Sequence, residues 1–297
     1  MTILLLGKNG QVGWELQRAL APLGALVALD RRGAGDLCGD LADLDGLAAT
    51  VRRLRPAVIA NAAAYTAVDR AEGEPALAQR INAEAPAVLA REAAACGALL
   101  VHYSTDYVFD GSGERPWRED DATGPLNVYG ASKLDGERAV AASGCAHLIL
   151  RTSWVYAARG GNFARTMLRL SAERERLTVV GDQWGAPTGA ELIADVTAHA
   201  VAQLRRAPGK AGVYHLAAAG ETTWFSYAKH VLARARIAQP AIEFKATEVA
   251  PIATRDYPTP AARPRNSRLD TRKLQAAFGL VLPPWQHGVD RMLAEVL

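Results

Sequence analysis

Long apolar runs are missing from this chain of 297 residues: no uninterrupted stretch approaches the ~18 that a membrane helix needs, so no span is expected. Cysteine is scarce. Cys38, Cys96 and Cys145 are odd in number, widely separated and outside C-x-x-C spacing, and they read as reduced thiols of a cytoplasmic protein, not as disulfides or metal ligands. Residues 1–8 have no basic n-region and too short an apolar run for a signal peptide. A large excess of one charge is also lacking: the formal net charge is +3 with Lys and Arg dispersed, which argues against nucleic acid as the main partner. A local basic site for a phosphorylated ligand remains open. Internal repeats, low-complexity segments and a clear linker are absent, so any second lobe is expected to interleave with the first.

What is present is ordinary globular composition, 49% hydrophobic and 22% charged, enough for one large domain or two modest ones. Residues 2–6 form a short apolar run that ends at glycine and predicts a buried strand. It leads into Gly7-Lys8-Asn9-Gly10-Gln11-Val12-Gly13, after which helical spacing begins at Trp14. Glycines let a backbone approach a pyrophosphate, and the helix N-terminus offers free N–H groups and partial positive charge. The spacing is G-x-x-G-x-x-G, and a tight strand-to-helix turn needs glycine for steric reasons anyway. Its place between a strand and a helix is what favours a dinucleotide.

A second predicted strand, residues 25–29, ends at Asp30, where an acid would hydrogen-bond a ribose 2′-hydroxyl and favour NAD. Arg31 and Arg32 follow and suit the 2′-phosphate of NADP, so the choice stays open. Asp40 either caps the helix signalled by Leu44, Leu47 and Val51 or meets the adenine edge. A third strand over residues 56–60 delivers Asn61 and then Ala62 to Thr66, and the small residues at this strand end leave room for a ligand at a sheet crevice. A fourth, residues 99–103, ends in Ser104, Thr105 and Asp106, polar groups at a carboxyl edge. The loop over residues 110–124 is long enough for an active-site loop and runs into a helix carrying Tyr129 and Lys133. Four residues apart on one helix face, phenol and ammonium are one turn from each other, an arrangement suited to proton transfer.

Further strands are expected at residues 147–150, 177–180 and 212–216. Between residues 249 and 265, prolines at 251, 258, 260 and 264 preclude a helix and predict a wrapped loop. Arg and Asn side chains at its end, residues 263–269, suit a diphosphate.

Taken in order, these motifs resemble the extended short-chain dehydrogenases/reductases. The likeness sharpens across nearly the whole chain: residues 7–13, 61–69, 104–111, 125–133, 151–156, 182–188 and 263–269 resemble the dTDP-4-dehydrorhamnose reductase family. This implies an α/β fold, a Rossmann-type doubly wound parallel sheet with a smaller, interleaved C-terminal substrate-binding lobe. Residues 1–150 would mainly bind NAD(P) and residues 151–297 the substrate, with some segments returning to the first domain. The implied activity is reduction of a 4-keto sugar nucleotide by NADPH or NADH, the last step of dTDP-L-rhamnose synthesis for cell-surface carbohydrate such as lipopolysaccharide.

The resemblance also implies residue roles. Tyr129 would give a proton to the 4-oxygen; Lys133 would lower the Tyr129 pKa and hold the nicotinamide ribose; Thr105 would hydrogen-bond the reacting oxygen. Gly7, Gly10, Gln11, Val12, Gly13, Asp30, Arg31, Asp40, Leu41, Ala64, Tyr65 and Thr66 match cofactor positions, and Asp106, Trp154, Asn162, Gln183, Asn266 and Arg268 substrate positions. Glu15, Glu191 and Glu295 match glutamates that hold Mg²⁺ in dimeric members, so Mg²⁺ and a homodimer are expectations too. Two rivals are a sugar-nucleotide dehydratase or epimerase and a non-catalytic NADP-binding regulatory subunit. The first is disfavoured because Tyr107, not a second carboxylate, follows Asp106; the second because Thr105, Tyr129 and Lys133 are all present.

Overall fold

The computed structural model describes all 297 residues. Six parallel strands form its central sheet: β1 (Thr2–Leu6), β2 (Ala25–Leu29), β3 (Val58–Asn61), β4 (Leu99–Thr105), β5 (His147–Thr152) and an edge strand, Gly212–His215. The spatial order from one edge is β2, β1, β3, β4, β5, Gly212–His215. After β2 the chain therefore crosses directly to the other side of β1. The order departs from 3-2-1-4-5-6, but the consequence is the same: connections diverge at β1 and open a crevice between the carboxyl ends of β1 and β3.

Alternation along each strand sorts the apolar side chains onto two faces. Ile3, Leu5, Val58, Val101 and Leu148 pack under helices Gln11–Leu20, Ala190–Leu204 and Arg272–Phe278. Leu4, Leu6, Ile59, Leu100 and Ile149 pack under helices Leu44–Leu54, Ala85–Cys96 and Val128–Ala142. Both faces are covered, which is why these strands read as continuous apolar runs. A separate cluster, with Tyr156, Tyr227, Trp285, Val289 and Met292, joins helices Trp224–Ala238 and Trp285–Val296. No helix is long and apolar enough to cross a membrane.

Two sequence expectations are corrected. Residues 249–252, placed in the wrapped loop, belong to a strand, Glu248–Ile252, parallel to Arg176–Val180. Pro251 is tolerated because this sheet has only two strands, so each is an edge. Asp43, not Asp40, caps the helix Leu44–Leu54, its carboxylate accepting from Gly46 N at 3.0 Å.

Candidate active site

The carboxyl ends of β1 to β5 converge on a cavity of about 1230 Å³. Single small-molecule sites occupy about 300–1,000 Å³, so the space admits a dinucleotide and a second ligand together. At one end lies the glycine turn. Gly7 has φ +85°, and a Cβ on Gly13 would stand 2.0 Å from Gly7 O, so this tight packing of helix on strand admits no side chain. Gly10, the helix N-cap, offers no capping side chain, and the first-turn N–H groups stay available to an anion. Gly7, Gly10 and Val12 line the cavity; Gly13 stands behind them as the packing residue. Gln11 also lines it, and its amide ties the turn to the second lobe by donating to Arg159 O and Gly161 O, each at 3.3 Å.

Asp30 leaves β2 beside this turn. Its carboxylate accepts from Asn9 Nδ2 and Arg32 N, both at 2.9 Å, and the Arg32 hydrogen bond leads the causes that hold its pKa below the ordinary value. Arg31, Arg32, Asp40 and Leu41 border the same space. Ala64, Tyr65 and Thr66 form the opposite wall, pinned by a residue that composition alone did not single out. Asn82 accepts from Tyr65 N at 2.8 Å and donates to Tyr65 O and Ser132 Oγ, both at 3.0 Å. It sits in a π-helical turn, Arg80–Glu84, a local insertion that aims its amide at loop and helix together.

The other end holds the proton-transfer groups. Asn127 caps the helix Val128–Ala142 by accepting from Gly130 N at 2.8 Å, and it donates to Ala262 O at 2.8 Å. A Cβ at Gly130 would lie 2.2 Å from Tyr107 O, and this close approach seats Tyr129 against β4. Tyr129 meets Tyr107 edge to face at 5.7 Å. Burial pushes the Tyr129 phenol up to about 12, with the Asp106 carboxylate adding to the rise and Thr105 opposing it. Lys133 is buried, and burial draws its ammonium down to about 8. Its Nζ donates to Tyr103 O at 2.6 Å. The expected lowering of the Tyr129 pKa by Lys133 is therefore not found in this arrangement, because the ammonium is turned to the β4 backbone. Thr105 Oγ1 donates to Asp106 Oδ1 at 3.0 Å and accepts from Tyr107 N at 3.1 Å.

The RmlD substrate binding domain family model matches residues 1–297. A dTDP-4-dehydrorhamnose reductase of Escherichia coli is 57% identical over 296 residues, covering 100% of this chain and 98% of that protein. The chain belongs to the dTDP-4-dehydrorhamnose reductase family. A Burkholderia thailandensis relative of the same name is 50% identical over 301 residues, covering 100% of this chain and 99% of its own. Among solved structures, the Bacillus anthracis dTDP-4-dehydrorhamnose reductase in complex with NADP is 34% identical with a TM-score of 0.87, covering 99% of each chain. The Clostridium acetobutylicum enzyme of that name is 32% identical with a TM-score of 0.88, covering 100% of this chain and 99% of that one.

In this dTDP-4-dehydrorhamnose reductase family member, Trp154 lies in the cavity wall at φ +49°, a left-handed conformation uncommon for a bulky side chain. It stacks on Trp224 with ring centroids 3.6 Å apart. Trp224 also lines the cavity and was missed from the sequence, where an aromatic at a helix start carries no distinguishing signal. Four expected substrate residues do not line the cavity and serve the scaffold. Asn162 caps the helix Phe163–Glu173 and donates to Ala157 O at 2.6 Å. Gln183 accepts from Trp224 Nε1 and donates to Thr254 Oγ1, both at 3.2 Å, so it props the aromatic wall. Asn266 is buried and donates to Ser112 O and Arg115 O. Arg268 donates to Glu114 O, pairs with Glu221 and covers the Trp184 ring. Asn266 and Arg268 thereby close the loop over residues 110–124, a requirement of tertiary packing that short motifs do not encode.

The metal expectation gains no support within the single chain. Glu15, Glu191 and Glu295 do share a smaller pocket of about 470 Å³, but arginines stand among them. Arg291 pairs with Glu191 at 2.9 Å and Glu295 at 3.6 Å, and Arg18 with Glu15 at 3.5 Å. No three acidic, histidine or cysteine side chains are grouped to hold a metal ion.

Asp106 lines the cavity with its Oδ2 buried and unpartnered, and burial raises its carboxyl from 3.8 to about 7. Between those values the folded state keeps a proton that the unfolded state has released, so this group's contribution to stability falls as pH rises through the window. Asp106→Asn is expected to gain stability over the parent between about pH 5 and about pH 7.5, on the order of 2 kcal/mol. Urea midpoints at the two pH values measure this, and a constant difference would refute it.

Proposed function

We propose that this chain reduces dTDP-4-dehydro-L-rhamnose to dTDP-L-rhamnose with NADPH or NADH. The observation that carries the proposal is the convergence of Tyr129, Lys133 and Thr105 on the cavity that the glycine turn opens. The residues fit a dinucleotide: a glycine cradle no Cβ would allow, uncapped helix N–H groups, and Asp30 with Arg31 at the end of β2. A reduced nicotinamide supplies a hydride to the keto carbon.

Tyr129, protonated at all working pH values, gives its phenolic proton to the 4-oxygen as that oxygen gains charge. Thr105, whose hydroxyl hydrogen is directed to Asp106 Oδ1 in the absence of substrate, turns it to the same oxygen, and the Lys133 ammonium holds the ribose. Trp154 and Asp106 form the sugar side of the cavity. Residues 1–150 bind mainly the dinucleotide and 151–297 mainly the sugar nucleotide, with the helix Ala190–Leu204 and strand Gly212–His215 returning to the large sheet. The reading includes a cytoplasmic, homodimeric protein without a nucleic-acid partner, whose product serves cell-surface carbohydrate, lipopolysaccharide among them.

Purified protein given dTDP-4-dehydro-L-rhamnose is expected to consume NADPH and form dTDP-L-rhamnose in equal amounts; substrate turnover without stoichiometric NADPH loss would overturn the proposal. Asp30→Ala removes the candidate ribose acceptor beside Arg31 and Arg32. Its KM for NADH is expected to rise about tenfold and that for NADPH less. Equal effects on both would remove Asp30 from the ribose site.

A further inference from the structure

Behind Lys133, which lines the cavity, lies a buried histidine to which none of the roles above is assigned. His102 lies on β4, 1% exposed, in register with Asn61 of β3 and Ile149 of β5. Alternation sends Tyr103 to the opposite face, where its hydroxyl meets Thr197 at 2.8 Å, and sends His102 to the face covered by the Lys133 helix. His102 Nε2 stands 3.4 Å from Lys133 Nζ, and its Nδ1 stands 3.3 Å from the Asn61 side-chain amide. Lys133 Nζ has one further partner, Tyr103 O.

An ammonium only donates, so Nε2 must accept and Nδ1 must carry the ring proton. That proton needs an acceptor. The Asn61 amide nitrogen faces Nδ1 while Asn61 Oδ1 is buried without a partner. Exchanging the two amide ends puts the oxygen on the Nδ1 proton and leaves the amide nitrogen, in place of the oxygen, in the unpartnered position.

We propose that His102 is a positioning residue for Lys133: its neutral imidazole, held as the Nδ1–H tautomer by Asn61, accepts from the ammonium and keeps it charged in the cavity floor. Burial drives the His102 pKa well below its ordinary value, with the nearby Lys133 charge adding to the effect, consistent with an acceptor ring. The other charge facing Lys133 is Glu137, one turn along its helix, which is itself held by Arg151 on β5. Asp106 and the Tyr129 phenol belong to the same cavity. Glu137 and Arg151 neutralise each other, so removal of the imidazole is not compensated by a free carboxylate.

The inference rests on the reductase reading for its kinetic test and stands apart from it for its spectroscopic one. His102→Leu removes the acceptor; His102→Gln keeps a side-chain oxygen able to accept. Loss of a hydrogen bond to a charged group is expected to lower the Lys133 pKa by about one unit in the Leu variant and less in the Gln variant. NMR titration of labelled lysine Cε signals in the full chain reads this without substrate, with Lys133→Met assigning the signal. In turnover, the basic limb of the kcat profile should move to lower pH by a similar amount for His102→Leu, with about fivefold loss near pH 8 recovered towards pH 6 and rescued by His102→Gln. An unmoved Lys133 titration, or an equal loss at every pH without rescue, overturns the positioning role. If wild type itself fails to consume NADPH while the titration shifts as stated, the reductase reading fails and the His102–Lys133 coupling survives.

Discussion

Tyr129→Phe is expected to lower kcat by about 10²–10⁴-fold with little change in cofactor affinity. The substitution deletes one hydroxyl and keeps the ring that packs edge to face on Tyr107, so the cavity wall stays in place. The parent phenol sits at about 12, held there first by burial, and thus carries its proton wherever the protein is folded and active. The phenylalanine variant has no proton to give as the oxygen gains charge, and the Thr105 hydroxyl hydrogen-bonds that oxygen without transferring its proton. Single-turnover NADPH consumption, with dinucleotide affinity measured by titration, separates chemistry from binding. Unchanged turnover would assign the acid elsewhere, and a lost affinity with normal single-turnover rate would make Tyr129 a binding residue.

Breaking the Glu137–Arg151 pair is expected to cost about 3–5 kcal/mol of folding stability. The side chains are 5% and 6% exposed. Arg151 Nε meets Glu137 Oε1 at 3.0 Å and Nη2 meets Oε2 at 2.7 Å, a two-pronged contact between β5 and the Tyr129 helix. Arg151 also covers the Phe109 ring at 5.1 Å and donates to Glu119 O at 3.3 Å. Arg151→Ala leaves the Glu137 carboxylate buried without its cation and unties the helix carrying Lys133. Replacing both members with methionine removes both charges and should recover most of the loss, since desolvation offsets much of what a buried pair contributes. Guanidinium unfolding of the single and double variants measures it. A loss under about 1 kcal/mol for Arg151→Ala, or a double variant no better than the single, would contradict this account.

The legible parts of the fold are those set by local chemistry. Residues 2–6 and 25–29 were readable as strands because both sheet faces are covered and their side chains are nearly all apolar. The glycines from Gly7 to Gly13 were readable because a strand-to-helix turn this tight admits no Cβ. Tyr129 and Lys133 fall on one face because a helix repeats every 3.6 residues. The candidate site was less legible where roles depend on partners distant in sequence. Asn162, Asn266 and Arg268 carry groups suited to a ligand, and the structure uses them on backbone carbonyls. Asn82 and Trp224 gave no signal, since a π turn and an aromatic stack exist only once 65, 82 and 132, or 154 and 224, are brought together. Pro251 signalled a loop and was accepted in an edge strand.

Alone, the sequence determined a parallel α/β fold, a glycine turn at the end of β1, an acid and two arginines at the end of β2, and a phenol one helical turn from an ammonium. Each follows from period, steric size or charge within a few residues. Tertiary structure decided the strand order, the side on which β3 joins β1, and the burial that raises Tyr129 and Asp106 and lowers Lys133. It also decided that Lys133 faces His102 and the Tyr103 carbonyl, and that arginines stand among Glu15, Glu191 and Glu295. The physical reason is common to these: desolvation and pairing depend on what lies across the sheet or in the next lobe, and chain order does not specify those neighbours.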